Sequence, residues 1–331
     1  MDRRALPALL AAVLVVAGVT AANSQASNPP SDYPARPVRV IVPFAPGGVV
    51  DVMGRLLAQK LSDATGKTFY IDNIGGAGGN IGTRTASAAP KDGYTIAITS
   101  SSFVVNPGLH AKVPYDPIKD FSPITIAAVS PNVVVVHPSK TATNVKQLVE
   151  SIRQAPSRYS FASAGVGTTP HLSGELFRLS AGLDLVHVPF AGAGPALQST
   201  VGGHTLIAFS ALPPAVPLVR NGSLRALAST SARRLNALPD VPTMAEQGFS
   251  GQEAETLLFV LAPADTPADV VNWLNGEIRK IVERPEVQRQ FDALGFTALA
   301  TTPSDSAERI RVEIAKWSKV IKDANLRQAG D

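Results

Sequence analysis

Val40-Ile41-Val42-Pro43-Phe44-Ala45-Pro46-Gly47-Gly48-Val49-Val50-Asp51 is the stretch whose reading decides the fold. It opens as an apolar run suited to a strand buried on both faces, and it stops at Pro43, which has no N–H to give a ladder. A Pro/Gly turn follows, then a helix whose first turn carries Asp51. Met53, Leu56, Leu57 and Leu61 recur there at helical spacing, and Gly66 ends the run. A strand–turn–helix unit of this kind aims unpaired N–H groups and the positive end of the helix dipole at the space the turn lines. It can hold an anion with no charged side chain.

The same device recurs outward from this unit. Phe69-Tyr70-Ile71 reads as a short strand, followed by the glycine-rich Asn73–Gly82 and a small-residue helix from Thr83 to Ala89. Tyr94–Thr99 reads as a strand ending in Ser100-Ser101-Ser102. Tyr159–Ala162 reads as a strand, Ser163–Thr169 as its loop, and Pro170 as a helix start, where proline is best tolerated. Leu185–Phe190 is a strand before Ala191-Gly192-Ala193-Gly194-Pro195 and another helix. Leu206–Phe209 ends at Ser210, and Leu224–Ser229 is a further strand. Ligands of open parallel sheets sit beyond the carboxyl ends of the strands, where these loops fall. Asn106–Pro123 reads as irregular and proline-rich, and Pro131 as the limit of a valine-rich strand from Asn132 to His137. A helix is expected from about Asn144 to Ile152. Leu257–Ala262 reads as a strand returning to the first half, and three helices follow over Pro267–Val282, Pro285–Leu294 and Ser304–Ala324.

The bulk properties narrow the classes. In a chain of 331 residues, Arg3 and Arg4, the apolar run Ala5–Val19 and Ser24-Gln25-Ala26 have the form of an export signal over residues 1–26. The rest, about 305 residues, suffices for two α/β domains. The chain has no cysteine, which excludes disulfides, thiolate metal sites and a thiol nucleophile. The formal charge of +4 is spread out, with no basic run and no aromatic ladder, so nucleic acid is not an expected partner.

Several enzyme signatures fail on inspection. Gly66-Lys67-Thr68 resembles the end of a phosphate loop, but the earlier glycine would fall at Leu61, and the segment ends a helix rather than starting one. The glycines from Gly75 to Gly82 miss the dinucleotide spacing at Ile81. Phe161-Ala162-Ser163-Ala164-Gly165 resembles a nucleophile elbow, yet its first glycine is Phe161, and His171 follows too closely to serve as base. His110, His137, His171, His187 and His204 form no metal-ligand spacing, and no cofactor is expected. His171 stays a candidate because it lies just past a Gly/Thr loop.

The chain resembles the periplasmic solute-binding receptors of the tripartite tricarboxylate transporters, the Bordetella uptake gene family. The likeness runs over essentially the whole chain after residue 26. It is carried by Tyr33-Pro34 with Arg36-Pro37, by Val42–Gly48 with Asp51, and by Gly76–Gly82 and Asp92-Gly93-Tyr94-Thr95. It continues through Pro114–Pro117 with Lys119-Asp120-Phe121, Ala162–Gly165, His171–Phe177, His187-Val188-Pro189 and Leu238–Thr243. The resemblance implies an α/β, type II-like Venus flytrap with two domains, each a mixed, mostly parallel sheet flanked by helices. Residues 33–129 with 257–331 would form one domain and 130–256 the other, hinged near Ala127–Pro131 and Glu255–Phe259. It also implies a soluble periplasmic receptor, not an enzyme, that delivers a small organic acid to one large and one small integral membrane subunit. In this family backbone N–H groups and bridging waters from the first glycine loop and the Ser-Ala-Gly loop hold the ligand carboxylate.

The ligand site expected from motif and resemblance together comprises Phe44, Pro46, Gly47, Gly48, Val49, Val50, Asp51, Gly79, Asn80, Ser101 and Ser102 from the first half. From the second it takes Ser163, Ala164, Gly165, Val166, Thr168, His171, Phe190 and Ser210. Four positions depart from the family pattern. Val49-Val50 stands for Gly-Thr, Val166 for Asn, Ser210 for Asp and Phe190-Ala191 for Tyr-Lys. Each lowers polarity, so the expected ligand is less polar than citrate or an amino acid: an aromatic acid or a medium- to longer-chain carboxylate. Some of these side chains could instead face the core. Asp51 has two compatible readings, helix capping and ligand contact. Sensing with a sensor kinase and a serine hydrolase built on Ser163 are the competing functions.

Overall fold

The computed structural model describes residues 33–323 and 326–327. The expected signal over residues 1–26 lies outside them. Among the described residues no helix is long and apolar enough to cross a membrane.

The first lobe begins β1 (Val38–Val42), α1 (Val49–Thr65), β2 (Phe69–Asn73), α2 (Asn80–Ser87), β3 (Thr95–Ser100) and α3 (Ser102–Leu109). β4 (Phe121–Val136) crosses to the second lobe, which holds α4 (Val145–Gln154), β5 (Ser160–Ser163), α5 (Thr169–Ser180), β6 (Val186–Pro189) and α6 (Ala193–Val201). β7 (Ile207–Ala211), α7 (Leu212–Arg220) and β8 (Arg225–Ser229) complete it. β9 (Glu255–Pro263) returns, followed by α8 (Ala268–Val282), α9 (Pro285–Leu294), β10 (Thr297–Ala298) and α10 (Pro303–Asp323).

One sheet of order β2-β1-β3-β9-β4-β7-β5-β6 runs through both lobes, with β10 and β8 also paired to β4. Among the described residues, parallel pairing between strands is confined to β2-β1-β3 and β6-β5-β7, with one further parallel bridge from Ser229 to Thr243. The long strands β4 and β9 are antiparallel to their neighbours because they carry the chain across and back. Together the lobes form a two-domain flytrap. α1, α8 and α9 cover one face of the first lobe, with Met53, Leu57, Leu61, Leu274 and Phe291 against Val40, Val42, Ile96 and Ile98. α3 and α10 cover the other, through Phe103, Leu109, Trp317 and Ile321. The second lobe repeats this arrangement with α4 and α5 opposite α6 and α7.

Three features differ from the sequence reading, and each involves proline. The expected irregular segment from Asn106 begins inside α3, a helix with Pro107 in its interior. Proline there cannot serve the carbonyl four residues back, and the Tyr115 hydroxyl instead donates to that Phe103 carbonyl at 3.2 Å. The Pro213-Pro214 pair follows Ser210 in a stretch given no element from sequence, and it opens α7, because proline in the first turn sacrifices only N–H groups that lack helical partners anyway. Pro131 does not start a strand. β4 runs through it, pairing with β9 up to Pro131↔Glu255 and with β7 from Asn132↔Ala211. The proline sits where the strand changes partners, so its missing donor costs the ladder little.

Candidate functional site

The turn between β1 and α1 is shaped by its own side chains. Gly48 is the N-cap of α1 and supplies no side-chain cap. Asp51, in the third helical position, reaches back to accept from the Gly47 N–H at 2.9 Å. It also accepts from Arg55 Nε at 2.9 Å and Asn73 Nδ2 at 2.9 Å. Burial would raise its pKa, but the hydrogen bonds from Arg55, the Gly47 N–H and Asn73, with the Arg55 charge, hold the carboxyl below its ordinary value. Asp51 is thus bound into the turn. The N–H groups of the first turn of α1 are left for another acceptor.

The facing loop in the second lobe is equally built. Thr168 caps α5, its Oγ1 accepting from the His171 N–H at 3.4 Å and donating to the Gly165 carbonyl at 2.7 Å. Ser163 Oγ lies 2.7 Å from His187 Nε2 and accepts from the Gly165 N–H at 3.2 Å. His171 Nδ1 accepts from the Gly167 N–H at 3.3 Å, and its ring stands 4.3 Å from that of His187. Burial pushes His171 down to about 3, with His187 and His110 adding to the effect, and burial pushes His187 down to about 4. Both imidazoles are neutral at ordinary pH. Ser163 and His187 therefore form the Ser–His contact a hydrolase would need, but Ser163 has no exposed surface and His187 is a desolvated, weak base.

The two lobes meet directly. The Ala45 N–H donates to the Ala191 carbonyl at 3.2 Å. Leu172 of α5 lies in the cluster of α3 and α10, with Val166 packed against it. Between the lobes is a cavity of about 20 Å³ lined by Phe44, Gly48, Val49, Val50, Ser100, Ala164, Thr168, Thr169, Pro170, Ala193, Ala211 and Thr256. No charged side chain is in this lining. The first turns of α1, α5 and α6 all reach it, through Gly48–Val50, Thr168–Pro170 and Ala193. Three helix starts therefore supply positive potential to a space walled by neutral groups.

Of the expected site residues, Phe44, Gly48, Val49, Val50, Ala164 and Thr168 line this cavity. The others do not. Pro46 and Gly47 are exposed on the turn, and Asp51 points into it. Gly79 backs Phe44, and a β-carbon there would lie 3.0 Å from its ring. Asn80 Oδ1 accepts from Asn106 at 2.7 Å. Ser101 Oγ accepts from the Leu257 N–H at 2.9 Å, while Ser102 pairs with Ser100 at 3.0 Å. Ser163, Gly165 and His171 hold the second loop from behind. Val166 packs into the first-lobe cluster and Phe190 against the α6–α7 side. Ser210 is buried in β7 with its hydroxyl on the Ala211 carbonyl. Of the four family departures, only Val49-Val50 reaches the cavity.

Ser100, Thr169, Pro170, Ala193, Ala211 and Thr256 line it as well but were not singled out from sequence. Thr169 and Pro170 were legible as loop end and helix start. Thr256 was not, because the expected strand begins at Leu257, two residues after the observed start of β9, and nothing local marks the residue before it as facing a cleft.

The chain matches the model of the tripartite tricarboxylate transporter family receptor over residues 53–326. It is 34% identical to the protein BugT of Bordetella pertussis, over 95% of this chain and 98% of BugT. A solved structure of R. palustris Rpa4515 with adipate is 34% identical, covers 89% of this chain and 99% of its own, and superposes with a TM-score of 0.86. MatC from Rhodopseudomonas palustris with bound malate is 28% identical, with coverages of 87% and 100% and a TM-score of 0.83. With a family match over most of its length, a long alignment to BugT and a shared two-lobed fold, this chain belongs to the tripartite tricarboxylate transporter receptor family.

Proposed function

We propose that the protein is a periplasmic receptor that closes on a small organic acid and passes it to the large and small membrane subunits of a tripartite transporter. The observation that carries this is the convergence of three helix starts on one cavity free of charged side chains. Backbone N–H groups in that setting bind a carboxylate by charge-assisted hydrogen bonds, each contributing about 1.5–3 kcal/mol. Relatives solved with adipate and malate support an acid as ligand. The protein acts by binding, not catalysis: Ser163, its nearest approach to an activated nucleophile, is shut behind the cavity wall.

The jaws are residues 33–129 with 257–331 and residues 130–256, turning about β4 and β9. A ligand larger than one or two waters enters by parting them. The ligand is a carboxylate with an apolar body, an aromatic or medium-chain acid, because Phe44, Val49, Val50, Pro170 and Ala211 make much of the wall apolar. A thermal-shift panel of hexanoate, adipate, benzoate, malate and citrate tests both statements. An acid at 100 times its dissociation constant adds about 2.7 kcal/mol. At roughly 2–4 °C per kcal/mol, that is a shift of several degrees. Shifts from adipate or benzoate exceeding those from citrate are expected. Tight citrate binding with none of the others would overturn the apolar assignment, and no shift from any acid would overturn the receptor.

A further inference from the structure

Behind the cavity lies a closed ring of buried polar groups that ties α5 to both crossing strands. Ser173 Oγ donates to the Thr169 carbonyl at 2.9 Å, so its single hydrogen is spent on an atom that can only accept. Asn132 Nδ2 donates to Ser173 Oγ at 2.9 Å, which turns the amide so that its Oδ1 faces Thr256. Thr256 Oγ1 donates to that oxygen at 3.3 Å. Thr169 and Thr256 are in hydroxyl contact, and with the Thr256 hydrogen committed to Asn132, Thr169 is the donor. Asn132 is fixed in turn through its backbone: its N–H donates to Thr230 Oγ1 at 2.9 Å and its carbonyl accepts from the Thr230 N–H at 2.9 Å. Asn132, Thr169, Ser173, Thr230 and Thr256 are all at most 2% exposed.

The polarity of the ring has a consequence for the ligand. Thr169 and Thr256 both line the cavity. Every hydroxyl hydrogen they own is directed into the ring, so what remains to them is lone pairs. A carboxylate meets donors at the helix starts and only acceptors at this pair. Thr168, whose hydrogen goes to the Gly165 carbonyl, adds no donor beside them.

We infer that the natural acid carries a hydrogen-bond donor, a hydroxyl or an N–H, set apart from its carboxylate and received by Thr169 and Thr256. This rests on the receptor reading above and narrows its ligand class. Ser173 and Asn132 do not touch the ligand; they are positioning residues that fix which way the threonine hydrogens point. A site arranged to accept from a ligand donor discriminates against the analogue that lacks one.

Titration calorimetry on the purified protein with two matched series tests this: hexanoate, 6-hydroxyhexanoate and adipate, then benzoate, 4-hydroxybenzoate and 4-methoxybenzoate. In at least one series the hydroxylated acid is expected to bind roughly three- to tenfold tighter than its parent, the value of one net hydrogen bond. The dicarboxylate and the methyl ether are expected to fall below it. Thr256→Val is expected to abolish the preference while the parent acid still binds, and Thr256→Ser to retain it. If Thr256→Val fails to fold, the wild-type comparison decides alone. Acids that bind with no preference for the hydroxyl, or a preference that survives Thr256→Val, overturn this inference and leave the receptor standing. Failure of every acid overturns both.

Discussion

The carbonyl oxygen of Val166 occupies the place a side chain on Gly78 would take: a β-carbon built on Gly78 would lie 2.2 Å from it. Gly78 belongs to the first lobe and Val166 to the loop of the second, so the lobes meet there backbone against backbone. Gly78→Ala is expected to hold the jaws apart. Its φ of 62° already places the residue in the left-handed region, so alanine also adds a local cost of about 1–2 kcal/mol. Gly66→Ala separates the two effects. Gly66 has a φ of 67° and nothing within 4 Å of a β-carbon. Both variants should melt lower, but only Gly78→Ala should lose acid affinity and gain radius in solution scattering. Equal affinity in the two would mean the contact does not govern closure.

Acidity should weaken the protein through His171 and His187 of the second lobe. His171 and His187 are held neutral down to about 3 and about 4, whereas in the unfolded chain they protonate near the ordinary value of 6.5. Below about pH 6.5 the unfolded state therefore binds more protons than the folded one, and stability rises with pH across that window and levels off above it. His187→Gln keeps a polar partner for Ser163 and removes one titration. Its melting temperature should depend less steeply on pH between about 4 and 6.5 than the wild type's. Parallel curves would show that His187 contributes nothing to the slope.

Asp51 should matter for stability and not for affinity. Its carboxylate accepts from the Gly47 N–H, Arg55 and Asn73 and stays off the cavity wall. Asp51→Asn weakens charge-assisted bonds worth about 1.5–3 kcal/mol each, so a loss of about 2 kcal/mol is expected. That corresponds to roughly 4–8 °C in melting temperature. Because its folded pKa is lowered, the wild-type contribution is complete above the ordinary carboxylate range and fades as pH falls through it. Thermal melts at neutral and acid pH check the trend, and an altered dissociation constant would assign Asp51 to the ligand instead.

The units that carry the jaws were legible because their signals are local. Pro43 stops a strand, Gly48 opens a helix, Gly66 closes it, and Thr168 with Pro170 starts another. What escaped depends on partners distant in sequence. α3 tolerates Pro107 only because Tyr115 returns to the orphaned carbonyl, and Pro131 stays inside β4 only because the strand changes partners there. Thr256 falls just before the strand expected from Leu257 and gains a role only when Thr169 and Asn132 are placed beside it. The family departures divide for the same reason. Val166 lies between the cavity-lining Ala164 and Thr168, and Phe190 three residues before the cavity-lining Ala193, yet both side chains turn into packing.

The proposed apolar ligand makes Val49 and Val50 the positions where its polarity is expected to be set. Both are buried at the first turn of α1, and both line the cavity with side chains that offer no hydrogen bond. Replacing the pair by Gly and Thr, the residues usual in the family, would remove an isopropyl group from one wall and add a hydroxyl to the other. The hydroxyl would compete for a polar acid with about 0.5–1.5 kcal/mol, and lost apolar contact would weaken acids with hydrocarbon bodies by about 25 cal/mol per Å² exposed. Val49→Gly/Val50→Thr should thus raise affinity for malate or citrate several-fold and lower it for hexanoate or benzoate. The relevant quantity is the ratio of the two dissociation constants, since glycine in the first turn also loosens the helix and weakens all ligands together. An unchanged ratio would move the control of polarity away from α1 and onto the hydroxyls of Thr169 and Thr256.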